Sequence, residues 1–135
     1  MGCDIHLSFE KRNKAGKWEK IDIQDCLIPD DRCYRLFSFL ANVRINPACK
    51  TNGQIANRGI PEDCLDREYF QIADIHSATH AYLYEILRLP WNEAELDQCY
   101  FYLFCKHIIP RLTTFCGMLS NDDERNIRVI IGFDN

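Results

Sequence analysis

Both ends of the chain carry the alternating pattern of a β-strand with one buried and one polar face. Residues 3–10 read Cys-Asp-Ile-His-Leu-Ser-Phe-Glu, so that apolar and polar side chains take turns. In residues 128–133, Val129, Ile131 and Phe133 stand at every second position. Successive side chains of a strand point to opposite faces, so this spacing predicts two half-buried strands. Strands at both ends favour a small sheet that includes both termini.

The segments between these strands predict mainly helices. A turn at 13–16, followed by a short second strand over 18–23 that reads Trp-Glu-Lys-Ile-Asp-Ile, predicts a hairpin. Apolar side chains on one helical face predict a helix over 34–43, and capping residues and prolines predict two more, over 77–89 and 92–118. We therefore predict an α+β fold: a small antiparallel or mixed sheet with helices packed on one face.

Residues 46–73 show no sustained periodicity and contain Pro47, Gly53, Gly59 and Pro61. Segments of this length inside a compact domain are usually functional loops or disordered. At 135 residues, the chain falls within the usual range for one domain. We predict a single domain over 1–135, with a long loop or lid at about 46–73.

The composition limits the partners. A net charge of -4 with 47% hydrophobic residues is typical of a folded domain, and a pI near 5.5 without a basic stripe disfavours duplex nucleic acid. No apolar run approaches the roughly 18 residues that a membrane span needs. Residues 1–67 hold 11 of the 16 basic residues but only 10 of the 20 acidic ones. An anionic small molecule is therefore expected to bind the first half.

Eight cysteines without a Cys-x-x-Cys pair, and without a visible secretory signal, favour reduced thiols in the cytoplasm. Cys3 is predicted to pack in the core, because alternation places its sulfur on the face opposite Asp4 and His6.

Two Asp-x-His sequences are the candidate metal and catalytic residues. Asp4 and His6 project from the same face of the first predicted strand, and Asp74 and His76 repeat the spacing. Carboxylate and imidazole groups together suit zinc, manganese or iron, with open positions for water. We expect a divalent-metal site if all four converge. The structural alternative is a hydrogen bond from each aspartate that fixes a histidine ring.

Arginines are the candidate ligand-binding residues. Arg32 and Arg44 flank the first predicted helix and Arg58 lies in the long loop. Guanidinium groups are the usual partners of phosphate and carboxylate oxygens. The alternative is that each arginine makes a structural ion pair with a nearby aspartate.

The opening Met-Gly-Cys-Asp-Ile-His resembles a family of small bacteriophage and bacterial proteins of no assigned activity. The similarity extends over four further blocks: Arg32 to Arg44, Arg58 to Asp63, Asp74 to Ser77, and Phe133 to Asn135. The resemblance implies that Tyr34 belongs to the shared pattern with the Asp, His and Arg residues above, and that this polar set lines a pocket or a buried network. Gly132 departs from the pattern, where an aromatic residue is expected, and predicts a wider groove or thinner packing.

Three functions follow as hypotheses. The first is binding of a phosphate-bearing, nucleotide-like small molecule by Arg32, Tyr34, Arg44 and Arg58; in a phage, such a protein would capture a host defence signal in the host cytoplasm. The second is a metal-dependent phosphoester hydrolase that uses Asp4, His6, Asp74 and His76. The third is a protein-interaction module that acts through the acidic second half. The oligomeric state stays open, with a homo-oligomer that shares its pocket as one alternative.

Overall fold

A computed structural model describes residues 2–23, 33–45, 51–114 and 123–134. Four strands form one antiparallel sheet in the order β2-β1-β4-β3. They are β1 (Asp4–Arg12), β2 (Trp18–Lys20), β3 (His76–Tyr82) and β4 (Ile127–Asp134). The predicted α+β class is confirmed, and the two terminal strands pair with each other at the centre of the sheet.

The helices are short. They are α1 (Tyr34–Ala41), α2 (Arg67–Phe70), α3 (Leu83–Leu87), α4 (Tyr100–Leu103) and α5 (Ile109–Thr114). A π-helical turn, Phe104–Ile108, joins α4 to α5, and a 3-10 turn, Asp123–Asn126, leads into β4. The wide π turn lies just before Pro110, which has no N–H to donate to a regular helix.

One face of the sheet carries the main core, which we call the core face. Phe9, Val129, Ile131 and Phe133 are buried there beneath α1, α3 and the 100–109 helical segment. The ring of Phe133 lies 5.1 Å from that of Phe37 on α1. This layer confirms the helices predicted on one face, although the short helix α2 lies on the other.

The opposite face, which we call the second face, is covered by the segment from Ile60 to Ile75. Cys64 and Phe70 pack there on Ile130. A buried ion pair joins Arg128 Nε to Glu10 Oε1 at 2.6 Å, and Arg128 Nη1 reaches Asp63 Oδ1 at 2.9 Å. The part of the predicted loop that the structure describes, 51–73, therefore contains α2 and is fastened to the sheet.

Two of the predicted helices differ from the structure. The stretch predicted as a helix over 77–89 begins with β3, and only Leu83–Leu87 is helical. The next helix begins at Tyr100, after a series of turns, rather than at residue 92. Pairing with β4 explains the first difference, because Thr79 and Ala81 are buried at strand spacing opposite Ile131 and Val129.

Within the described ranges, no helix combines the length and apolar character that a bilayer crossing requires. The five cysteines in those ranges, namely Cys3, Cys33, Cys64, Cys99 and Cys105, are free thiols.

Candidate functional site

His6 is the centre of a three-residue hydrogen-bonded chain on the second face. Its Nε2 lies 2.6 Å from Asp134 Oδ2, and its Nδ1 lies 2.6 Å from the hydroxyl of Tyr69. With Asp134 ionised and the His6 ring neutral, Asp134 accepts the Nε2 proton and Nδ1 is left as an acceptor. In that state Tyr69 donates its hydroxyl proton to Nδ1.

The strand register places His6 and Asp134 together. In the antiparallel pairing, Asp4 lies opposite Asp134 and His6 lies opposite Gly132. Because side chains alternate between faces, all of these positions belong to the second face. Asp134 is thus the diagonal neighbour of His6, within reach of its ring.

Gly132 leaves the space that allows α2 to place Tyr69 next to His6. A Cβ atom built on Gly132 would lie 2.7 Å from Ile75 Cγ2 and 3.0 Å from Phe70 Cδ1. The space that a side chain would occupy is therefore filled by Phe70, the one buried side chain of α2. Tyr69 precedes Phe70 and meets His6 edge to face, with ring centroids 5.7 Å apart. The aromatic residue expected in β4 is replaced by one supplied from α2.

A second polar group lies next to this chain. Asp66 Oδ2 accepts a hydrogen bond from Ser8 at 3.1 Å and pairs with Lys20 Nζ at 2.8 Å. The hydrogen bond from Lys20 lowers the pKa of Asp66, with a smaller contribution from Ser8. The ionised carboxylate is therefore the form that the folded protein favours.

The lowered pKa of Asp66 predicts an acid-dependent loss of stability. A carboxyl group whose pKa is lower in the folded than in the unfolded chain stabilises the fold at any pH above its pKa in the unfolded chain, which is about 3.9. This stabilisation is lost as the pH falls through the pKa that the group has in the folded chain. Asp66→Asn should lower the free energy of unfolding at pH 7 and reduce the difference between pH 7 and pH 3. Urea unfolding at both pH values measures this. Asp74→Asn, at an exposed turn, is the control and should keep the wild-type difference. An unchanged pH difference in Asp66→Asn contradicts the prediction.

His6 and Asp66 share a cavity of about 370 Å³. Its polar and aromatic lining consists of His6, Ser8, Lys20, Asp66, Tyr69 and Phe70. Tyr69 is 46% exposed and is one of the residues that line the cavity.

One wall of the cavity is an edge of β1. Among the described residues, β2 pairs only with Glu10–Arg12, and Ile21 N–H donates to the carbonyl of Phe9. Along an antiparallel strand, the N–H and C=O groups of successive residues point to alternate sides. The N–H and C=O groups of Ile5 and Leu7 therefore point to the same side as the carbonyl of Phe9, away from β4. Both residues line the cavity, which adds backbone polar groups to its wall.

The predicted four-residue metal site is not formed. Asp4 and His6 share the second face as expected, whereas His76 lies opposite Phe133, and its ring is 6.3 Å from that core-face ring. Asp74 is exposed in the turn before β3. Within the described residues, no group of three or more His, Cys, Asp or Glu side chains is arranged to hold a metal. The cause is the sheet itself, which separates His6 from His76; binding of a divalent metal stays a prediction.

Tyr34 and Arg44 do reach the start of β1, but on the core-face side. The Tyr34 hydroxyl accepts the backbone N–H of Cys3 at 3.1 Å, and the Arg44 guanidinium stacks on the Tyr34 ring at 5.3 Å. Burial raises the pKa of the Cys3 thiol, although a hydrogen bond with Arg44 opposes the effect. Cys3 is therefore a packing thiol, as predicted, and neither Tyr34 nor Arg44 lines the cavity.

Arg58 lies elsewhere. Its guanidinium binds both carboxylate oxygens of Glu85, at 3.0 and 2.8 Å, and its backbone N–H donates to Thr79 on β3. The alternative interpretation, a structural ion pair, holds for this arginine. Arg32 lies outside the described residues.

The charged and hydrogen-bonding residues Asp134, Tyr69, Lys20 and Asp66 of the site were not predicted. Asp134 was within reach of sequence reasoning, because antiparallel pairing of the two terminal strands brings it close to Asp4. Nothing in the sequence pattern of 51–73 distinguishes Tyr69 or Asp66 from other loop residues.

Comparison with family models, with curated proteins and with solved structures found no match for this chain.

Proposed function

We propose that the cavity beside His6 binds a phosphate-bearing, nucleotide-like small molecule. The observation that carries this proposal is the combination of groups within one cavity: the ammonium of Lys20, the carboxylate of Asp66 and the ring of Tyr69. Its volume, about 370 Å³, is within the range of small-molecule sites, about 300–1,000 Å³.

Each group suits a different part of such a ligand. Lys20 has three donors, of which Asp66 takes one, so the others are available to phosphate oxygens. Asp66 is an acceptor of the kind that binds ribose hydroxyls in nucleotide sites. The exposed ring of Tyr69 offers a stacking surface for a base. The chemistry is that of the predicted ligand, although Lys20 takes the role expected of the arginines.

Binding should depend on Lys20. A panel of inorganic phosphate and of linear and cyclic nucleotides, with the matching nucleosides, is titrated by calorimetry. We expect a phosphate-bearing compound to bind more tightly than its nucleoside, and Lys20→Ala to weaken binding roughly tenfold or more, because a charge-assisted hydrogen bond contributes about 1.5–3 kcal/mol. Lys17→Ala, exposed in the β1–β2 turn, is the matched control and should bind like the wild type. Equal affinity for nucleotide and nucleoside, or an unchanged Lys20→Ala, contradicts the proposal.

Chromatography of the recovered ligand separates the alternative functions. Intact, stoichiometric ligand supports capture, which is the property that a phage protein directed at a host defence signal needs. Altered ligand supports a hydrolase. If the alteration requires added metal, the hydrolase is the metal-dependent one. Failure to bind any compound leaves the interaction module as the remaining hypothesis. The resemblance to phage and bacterial proteins stays a prediction. A measurement of the molecular mass in solution tests whether the protein forms a homo-oligomer.

A further inference from the structure

We infer that the site also performs phosphoryl transfer, with the Tyr69 hydroxyl as nucleophile and the His6–Asp134 pair as the base that takes its proton. This inference rests on the proposed function, because the phosphate-bearing ligand is the substrate. It adds a reaction class, transfer from a phosphoester, and it assigns a role to each member of the chain.

The first step of the argument is the direction of the hydrogen bonds. A nucleophilic hydroxyl is activated when a base accepts its proton as the new bond forms and a third group orients that base. With a neutral His6 ring and an ionised Asp134, Tyr69 donates to His6 Nδ1 at 2.6 Å and His6 donates from Nε2 to Asp134 at 2.6 Å. The order hydroxyl, imidazole, carboxylate matches that requirement.

Accessibility is the second step. Of the three side chains, that of Tyr69 is the most exposed, at 46%, whereas those of His6 and Asp134 are 24% and 30% exposed. Tyr69, which carries the reacting oxygen, is thus more open to a ligand than the histidine and the aspartate that form the base.

The third step is the position of the ligand. Lys20 lines the same cavity as Tyr69, so a phosphate bound to its ammonium shares that cavity with the tyrosine. Positive charge there also stabilises the charge that develops on phosphate oxygens during transfer. Binding and reacting groups therefore open onto one space.

The reaction balances without a further reagent. The Tyr69 oxygen forms a bond to phosphorus, the bond from phosphorus to the leaving oxygen breaks, and the Tyr69 proton passes to His6 Nδ1. Asp134 stabilises the resulting imidazolium, which then gives the proton to the leaving oxygen. Water subsequently attacks the phosphotyrosine, its proton returns to the tyrosine oxygen through His6, and inorganic or monoester phosphate is released.

An aryl sulfonyl fluoride tests the nucleophile without a phosphate ligand. The tyrosine oxygen attacks sulfur, fluoride leaves and the base takes the proton, and mass spectrometry of peptides locates the label. Tyr100 is an internal control, because its exposure, 37%, is close to that of Tyr69. We expect Tyr69 to be labelled at least tenfold faster than Tyr100.

Two substitutions identify the base. His6→Gln should slow labelling of Tyr69 roughly 10²-fold, since general-base catalysis contributes about 10²–10⁴. Asp134→Asn should slow it as well, because an amide that donates to Nε2 moves the ring proton to Nδ1. His80→Gln is the matched control: His80 is on the second face at β3, bonded to the Gly59 carbonyl, and its loss should leave the Tyr69 rate within twofold. Labelling of Tyr100 in each variant reports whether the fold is retained.

A phosphoester with a p-nitrophenol leaving group tests the transfer itself. The wild type should release a burst of one equivalent of p-nitrophenol, and Tyr69→Phe should lose it. Equal labelling of Tyr69 and Tyr100, an unchanged rate in His6→Gln, or a burst that persists in Tyr69→Phe would each overturn the inference. The two proposals can fail separately. Fast, His6-dependent labelling of Tyr69 without nucleotide binding contradicts only the proposed ligand. Nucleotide binding without enhanced labelling of Tyr69 contradicts only the transfer reaction.

Discussion

Arg128→Met is expected to lower the free energy of unfolding by about 3–5 kcal/mol, the usual effect of removing one partner from a buried ion pair. Glu10 is fully buried, and Arg128 is 2% exposed. Methionine retains much of the side-chain volume over the Trp18 ring, which the guanidinium contacts at 3.8 Å. It leaves the Glu10 charge with two uncharged donors, the Leu65 N–H and the Cys64 thiol. Chemical denaturation measures the loss.

Arg12→Met is the matched control for this experiment. Arg12 also stacks on Trp18, at 5.3 Å, and also makes side-chain hydrogen bonds, but to Asn126 at an exposed position. Its replacement should change the free energy of unfolding by less than about 1 kcal/mol. The double variant Arg128→Met with Glu10→Leu should recover much of the lost stability, since the unpaired charge is then gone. A double variant as unstable as the sum of the single ones contradicts the desolvation argument.

Gly132→Ala is expected to destabilise the protein by about 1–3 kcal/mol, the usual cost of one extra methyl group in a packed site. The new methyl group would lie 2.7 Å from Ile75 Cγ2, so Ile75, Phe70 or the backbone has to move. A shift of Phe70 carries Tyr69 away from His6, so His6-dependent labelling of Tyr69 should fall at the same time.

Ile75→Ala supplies the test of this packing argument, because it removes the atom that the new methyl group meets. In a double-mutant cycle, the combined variant should be more stable than the sum of the single changes by about 1 kcal/mol. Additive effects, or wild-type labelling of Tyr69 in Gly132→Ala, would show that Gly132 does not position α2.

The sequence predicts the strands with strong alternation and misses the strand without it. β1 and β4 alternate regularly and were identified, whereas β3 reads His-Ser-Ala-Thr-His-Ala-Tyr and contains no Val, Ile or Leu. Ser77, at a φ of 56°, lies at an irregularity of the pairing between His76 and Thr79. Such a strand is stabilised by its neighbour β4 rather than by its own propensity, so local patterns predict a helix in its place.

The same limit applies to the site. The shared face of Asp4 and His6 follows from spacing within one strand, and it was predicted. The partners of His6 depend on long-range packing: Asp134 on the pairing of β1 with β4, and Tyr69 on the space above Gly132. His76 failed as a partner because its side of the sheet is set by pairing with β4 opposite Phe133, which no local pattern in 74–76 reveals.

The central pairing of β1 with β4 also constrains how the protein is made. His6 and Asp134 bond across 128 positions of the chain, so a ribosome has to synthesise nearly all of the described sequence before the two can meet. Until then β1 has only its short partner β2 among the strands of the sheet, and the apolar face of β1 lacks β4. Contacts between such distant segments make folding slow, and an unpaired strand edge favours aggregation in the meantime. The strand β1 therefore lacks its longest partner until β4 has been synthesised, and its apolar face stays open to other chains for that time.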